Sequence, residues 1–193
     1  ASGNWGEAEP HIGALAGRVV IGKIENCNVN GDVTFDNTLV TSGEKSYFGG
    51  AVGRVSNADG ELKGISVKGN VSLSAGSTYK SSNANDAFVK YGGIVGSLAG
   101  TCTDCHLTEA DKTFFYGNFV YGSGVAPVNN NYRTQQVGGI VGEIAEGGAV
   151  SNCNNYAAVT FSQYNGEANG ASGDVSRYLH GGGIAGQIYG ELS

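Results

Sequence analysis

"YGGIVGSLAG", residues 91–100, is a short apolar run with glycines inside it and at its end. The phrase returns as "FGGAVGRVSN" from Phe48, "VGGIVGEIAE" from Val137 and "HGGGIAGQIYG" from His180. A weaker copy, "HIGALAGRVV", starts at His11. Each phrase reads as a strand. The glycine of its Val-Gly or Ala-Gly step falls at Gly17, Gly53, Gly96, Gly142 and Gly186. A recurrence of roughly 40 residues is the signature of a repeat architecture and takes precedence over local propensities.

A second phrase follows each of the first four copies: "CNVNGDVTF" from Cys27, "ISVKGNVSL" from Ile65, "CHLTEADKTFF" from Cys105 and "CNNYAAVTF" from Cys153. Apolar and polar residues alternate in it, as in a half-buried strand. Val29, Val33 and Phe35 share one face in the first copy, and Val67, Val71 and Leu73 in the second. "AAV" breaks the alternation in the fourth, where Tyr156 and Phe161 sit less regularly. One unit cannot bury its apolar face, whereas units stacked in register bury it and pair their backbones in parallel ladders. Glycine at tight corners permits positive φ or close backbone approach. The expected fold is therefore all-β: a β-solenoid, or parallel β-helix, of about four and a half Gly-rich repeats with inserted loops or hairpins. The chain reads as a single repeat domain, 1–193, with units near 11–47, 48–90, 91–136 and 137–179 and a partial unit at 180–193. A seven-strand sandwich would not require near-identical phrases at similar spacing.

Composition agrees. Glycine supplies 34 of 193 residues and proline only 2, without the three-residue period of collagen. Hydrophobic residues reach 40%, too many for disorder, while charged residues are only 15%. The net charge is −6, and no Lys/Arg cluster offers a nucleic-acid surface. No apolar run is long enough for a membrane helix, so no membrane insertion is expected in this segment.

These phrases resemble the GLUG-type repeats of bacterial surface proteins, common in gut Bacteroidetes. The resemblance spans nearly the whole chain. The first unit departs from it with "GALAG" in place of "GGIVG", and the second has Ile65 where the others have Cys. The resemblance implies a secreted or surface-anchored, adhesin-like β-solenoid located extracellularly or at the cell surface. No catalytic residues belong to the motif, so none carry over and no enzyme is expected. Both ends look cut, which implies a fragment of a longer protein, or ends that associate with another chain.

Inserted segments on a solenoid often form its binding face. Tyr79, Tyr116, Tyr121, Tyr132, Tyr164 and Tyr178 lie in or beside the long connections. Rings near Asn, Asp and Gln suit a glycan or a host surface protein, while packing along the solenoid's edges is the structural alternative. The other reading of the whole chain is a carbohydrate-active β-helix enzyme or its sugar-binding module, which would need paired carboxylates. Cys27, Ile65, Cys105 and Cys153 hold equivalent places and should form one inward column of apolar packing. "CTDC", residues 102–105, is the local pair able to close a disulfide, Cys102 to Cys105. With no second pair or spaced histidines, the sequence supports neither a metal site nor a cofactor.

Overall fold

The computed structural model describes residues 9–37, 45–75, 87–107, 113–119, 133–163 and 177–193. Among them every regular element is a strand, and the strands form five rungs. The first rung is β1 (His11–Gly13), β2 (Ala16–Val19), β3 (Gly22–Glu25), β4 (Asn28–Asn30) and β5 (Val33–Asn37). The second is β6 (Ser46–Gly49), β7 (Val52–Val55), β8 (Gly60–Lys63), β9 (Ser66–Lys68) and β10 (Val71–Ala75). The third is β11 (Ala87–Gly92), β12 (Val95–Leu98), β13 (Thr101–Thr103), β14 (His106–Leu107) and β15 (Thr113–Phe119). The fourth is β16 (Arg133–Gly138), β17 (Val141–Ile144), β18 (Ala149–Ser151), β19 (Asn154–Asn155) and β20 (Ala158–Gln163). The fifth rung contributes β21 (Arg177–Gly182), β22 (Ala185–Ile188) and β23 (Glu191–Leu192).

Each strand pairs in parallel with its counterpart one rung away, giving five sheets along the stack: β1-β6-β11-β16-β21, β2-β7-β12-β17-β22, β3-β8-β13-β18-β23, β4-β9-β14-β19 and β5-β10-β15-β20. This is a parallel β-solenoid. A register shift between Phe114 and Gly117 interrupts the β15–β20 pairing.

The core is a set of like-on-like columns. Val52, Val95 and Val141 stack, as do Val55, Leu98 and Ile144, and all six are buried. Val29, Val33 and Phe35 pack in this core with Val67 and Val71, as the alternation predicts. The side chain of Leu73 lies outside the described residues. Tyr156 is exposed, and Ala157 and Val159 turn inward in that unit.

The glycine phrase is not one strand. It bends between its double glycine and the following Val-Gly: β11 ends at Gly92 and β12 begins at Val95. The corner is too tight for side chains, since a Cβ on Gly92 would lie 2.0 Å from the Val95 carbonyl oxygen, and one on Gly93 2.2 Å from that of Gly139. The second phrase also divides, at Gly31 and Gly69, both with positive φ. Between the two phrases the structure inserts a third short strand, carried by "GKIE", "GELK", "TCT", "AVS" and "EL".

The aligned glycines Gly17, Gly53, Gly96, Gly142 and Gly186 do form one column, but within strands of the second sheet rather than at corners. They are glycine because the first and second sheets meet there backbone to backbone.

The corner before the Cys column has its own requirement. Asn26, Gly64, Asp104 and Asn152 precede Cys27, Ile65, Cys105 and Cys153, with φ of 55°, 62°, 55° and 51°. Asn, Asp and Gly are the residues that tolerate this left-handed region. The Asn152 side-chain amide also donates to the Asp104 carboxylate one rung away. Replacing Asn152 with Ala should destabilise the stack by about 1 kcal/mol, lowering Tm by about 2–4 °C. Asn152→Gly should lie near the parent protein. Equal melting temperatures for both variants would remove the φ argument.

Candidate functional site: a polar seam and a three-thiol cluster

Two arrangements depart from simple apolar stacking. The first is a seam where the first and second sheets face each other. The first sheet presents the column His11, Tyr47, Lys90, Gln136 and His180. The second presents Arg18, Arg54, Ser97, Glu143 and Gln187. Lys90 and Glu143 form an ion pair, with side chains 12% and 8% exposed, and the Ser97 hydroxyl donates to the same Glu143 oxygen at 3.0 Å. The Arg54 guanidinium lies 4.5 Å from the centre of the Tyr47 ring and also pairs with Glu9 at 3.3 Å. Further along, the Gln136 amide donates to Gln187, whose carbonyl also lies 3.0 Å from His180 Nδ1.

The seam tunes its own ionisation. Burial pushes the Tyr47 hydroxyl up to about 12. Burial also pulls Lys90 below its ordinary value, against the opposing pull of Glu143. His11 sits below its ordinary 6.5, through burial first and then the charges of Arg54 and Arg18, with Glu9 opposing. The folded state therefore favours neutral His11. That contribution is fully present above about pH 6.5 and is lost as the pH falls below it. NMR titration of the His11 imidazole should give a midpoint below 6.5, and a midpoint above it would contradict this electrostatic picture.

Among the described residues Glu143 is the one buried carboxylate, and Lys90 neutralises it. That is unlike the pair of carboxyls that glycoside hydrolysis uses. A hollow of about 610 Å³ at the last rung is lined by Asn155, Ala157, Val159 and Ile184 with Gly181, Gly182 and Gly183. It lies where the fifth rung contributes strands to only three sheets, so it is open interior of the stack.

The second arrangement is sulfur. Register places Cys27, Ile65, Cys105 and Cys153 in one column, since each directly precedes the paired residues Asn28, Ser66, His106 and Asn154. The neighbouring column holds Ile24, Leu62, Cys102 and Val150. Both columns face the core, so the sulfurs of Cys102, Cys105 and Cys153 all lie within 4.8 Å of one another. All four cysteines are free thiols. Cys102 and Cys105, the pair suggested by spacing, belong to this cluster, and Cys102 Sγ lies 3.9 Å from Cys153 Sγ. Cys27 stands apart, its thiol donating to the Glu25 carbonyl at 3.4 Å.

Cys153 is held far below the ordinary thiol value because Cys102 and then Cys105 hydrogen-bond to its sulfur. The Cys105 N–H and the charge of His106 add to this effect, while burial opposes it. Cys102 is pushed well above that value by its bonds to Cys105 and Cys153 and by burial. The neighbouring Cys102 thiol pulls Cys105 down, but the Cys153 sulfur and burial prevail and push it up to about 12. The "CTDC" spacing shows two of these thiols, and only the parallel register brings in the third.

Tyr79, Tyr121, Tyr132 and Tyr164 lie outside the described residues, as do the side chains of Tyr116 and Tyr178, whose backbones belong to β15 and β21.

Fold and repeated phrases together define a Gly-rich parallel β-solenoid repeat module. Residues 9–34 match the family model described as the GLUG motif. The match falls on the first unit, the one carrying "GALAG", and the later rungs hold equivalent residues at the same register positions. Comparison with curated proteins and with solved structures gave no match.

Proposed function

We propose that this chain is a non-catalytic structural and adhesive module of a bacterial surface protein, displayed outside the cell. A stiff stack would present recognition segments along one edge. The carrying observation is topological. Segments 38–45, 76–86, 120–132 and 164–176 each follow a strand of the fifth sheet and precede one of the first, so their ends share one edge. Insertions collected on one side of a solenoid are its usual binding face. Four of the six tyrosines fall in these segments, which favours a glycan or a host surface protein as the partner. The net charge of −6 argues against nucleic acid. Exposed Leu15, Val20 and Ile21 near one end of the stack, and Ile188, Tyr189 and Leu192 near the other, favour end-to-end association.

The test is a binding screen of the intact chain against glycans and immobilised host-surface proteins. Replacing Tyr121 and Tyr132 together with Ser should weaken binding at least tenfold and leave Tm unchanged. Binding that survives replacement of all six tyrosines would remove the edge from the proposal. Release of reducing sugar by the parent chain, abolished by one carboxylate substitution, would replace the module with an enzyme.

A further inference from the structure

We propose that Cys102, Cys105 and Cys153 form a binding site for one soft divalent d10 cation of the zinc or cadmium type. Nothing in the adhesive reading requires such a site. The three sulfurs converge from two consecutive rungs and lie within 4.8 Å of one another. An ion bound at about 2.3 Å by three thiolates needs sulfurs about 4.0 Å apart, and four-coordinate geometry needs about 3.8 Å. Cys102 and Cys153 already stand at 3.9 Å. The other separations, up to 4.8 Å, need to close by at most about 1 Å, within the reach of side-chain motion. A disulfide needs sulfurs about 2.05 Å apart, a much larger displacement.

The donor set selects the ion. Thiolates without carboxylate ligands suit soft cations and reject magnesium and calcium. Binding releases the thiol protons to solvent and leaves one net negative charge on a divalent site, against two with a monovalent ion. Burial of Cys102 and Cys105 therefore favours the divalent ion. Cys153 is only part-buried, which supplies an entry path and room for a water as fourth ligand. The Cys105 backbone N–H, 3.4 Å from Cys153 Sγ, orients that sulfur from outside the ligand set.

The stack itself suggests conservative replacements. Ile65 occupies the Cys105 position one rung away, and Leu62 and Val150 flank Cys102. Cys105→Ile and Cys102→Val should therefore fold, and Cys27→Ser is the control thiol outside the cluster. The reduced, chelator-treated full chain would be titrated with Cd(II) and Zn(II), following thiolate-to-metal absorption, native mass and Tm. One equivalent should bind to the parent and to Cys27→Ser and raise Tm in both. Cys102→Val, Cys105→Ile and Cys153→Ser should each weaken binding at least tenfold. No uptake by the parent would overturn the proposal. Unchanged uptake in the cluster variants, or its loss in Cys27→Ser, would overturn it as well.

Discussion

Gly96→Val should destabilise the protein by about 3 kcal/mol, lowering Tm by roughly 10 °C. A Cβ on Gly96 would lie 2.6 Å from the Gly53 carbonyl oxygen, 2.7 Å from the Phe48 amide nitrogen and 2.8 Å from the Lys90 carbonyl oxygen. All three are backbone atoms, on three strands of two sheets, and each strand is held by its own ladder. No side-chain rotation relieves the contact, so the sheets must separate locally and give up core packing. Gly183→Ala is the matched control, because its added Cβ would meet nothing within 4 Å. Thermal melts of the two variants decide the matter. Equal losses would mean that glycine is selected there by something other than backbone approach.

Glu143→Gln should destabilise by about 3 kcal/mol, because it removes the charge that Lys90 neutralises within a buried pair. The double variant Lys90→Met with Glu143→Leu should recover most of that loss, since apolar groups of similar volume need no desolvated partner. Denaturation of the parent, Lys90→Met, Glu143→Leu and the double variant gives the coupling directly. Strictly additive effects would show that the seam is solvated and the pair incidental. High salt should weaken the parent little, because screening acts mainly on exposed charges.

The limits of sequence reading lie at particular residues. "VGGIVGEIAE" looks like one strand because Ile140 and Val141 are both strand-forming, yet Ile140 lies in a corner and Val141 begins the next strand. The bend comes from Gly138 and Gly139 packing against the next rung, which local propensity does not record. The third strand of each rung was illegible because two to four residues are too short to display a period of two. The column of Gly60, Gly100, Gly148 and Gly190, packed between rungs, also went unmarked in the sequence.

What the sequence alone determined is the repeat, the strand character and part of the inward face, Val29, Val33, Val67 and Val71 among it. Side-chain alternation and glycine punctuation are local properties, and the recurrence at Gly17, Gly53, Gly96, Gly142 and Gly186 shows that the units must stack. Tertiary structure alone decided which distant residues meet. Lys90 reaches Glu143 across 53 positions, and Cys102 reaches Cys153 across 51. Both meetings depend on parallel register, which a slip of one residue would turn to the opposite face. Register is a property of all the rungs together, held by ladders and columns that exist only once the chain has stacked.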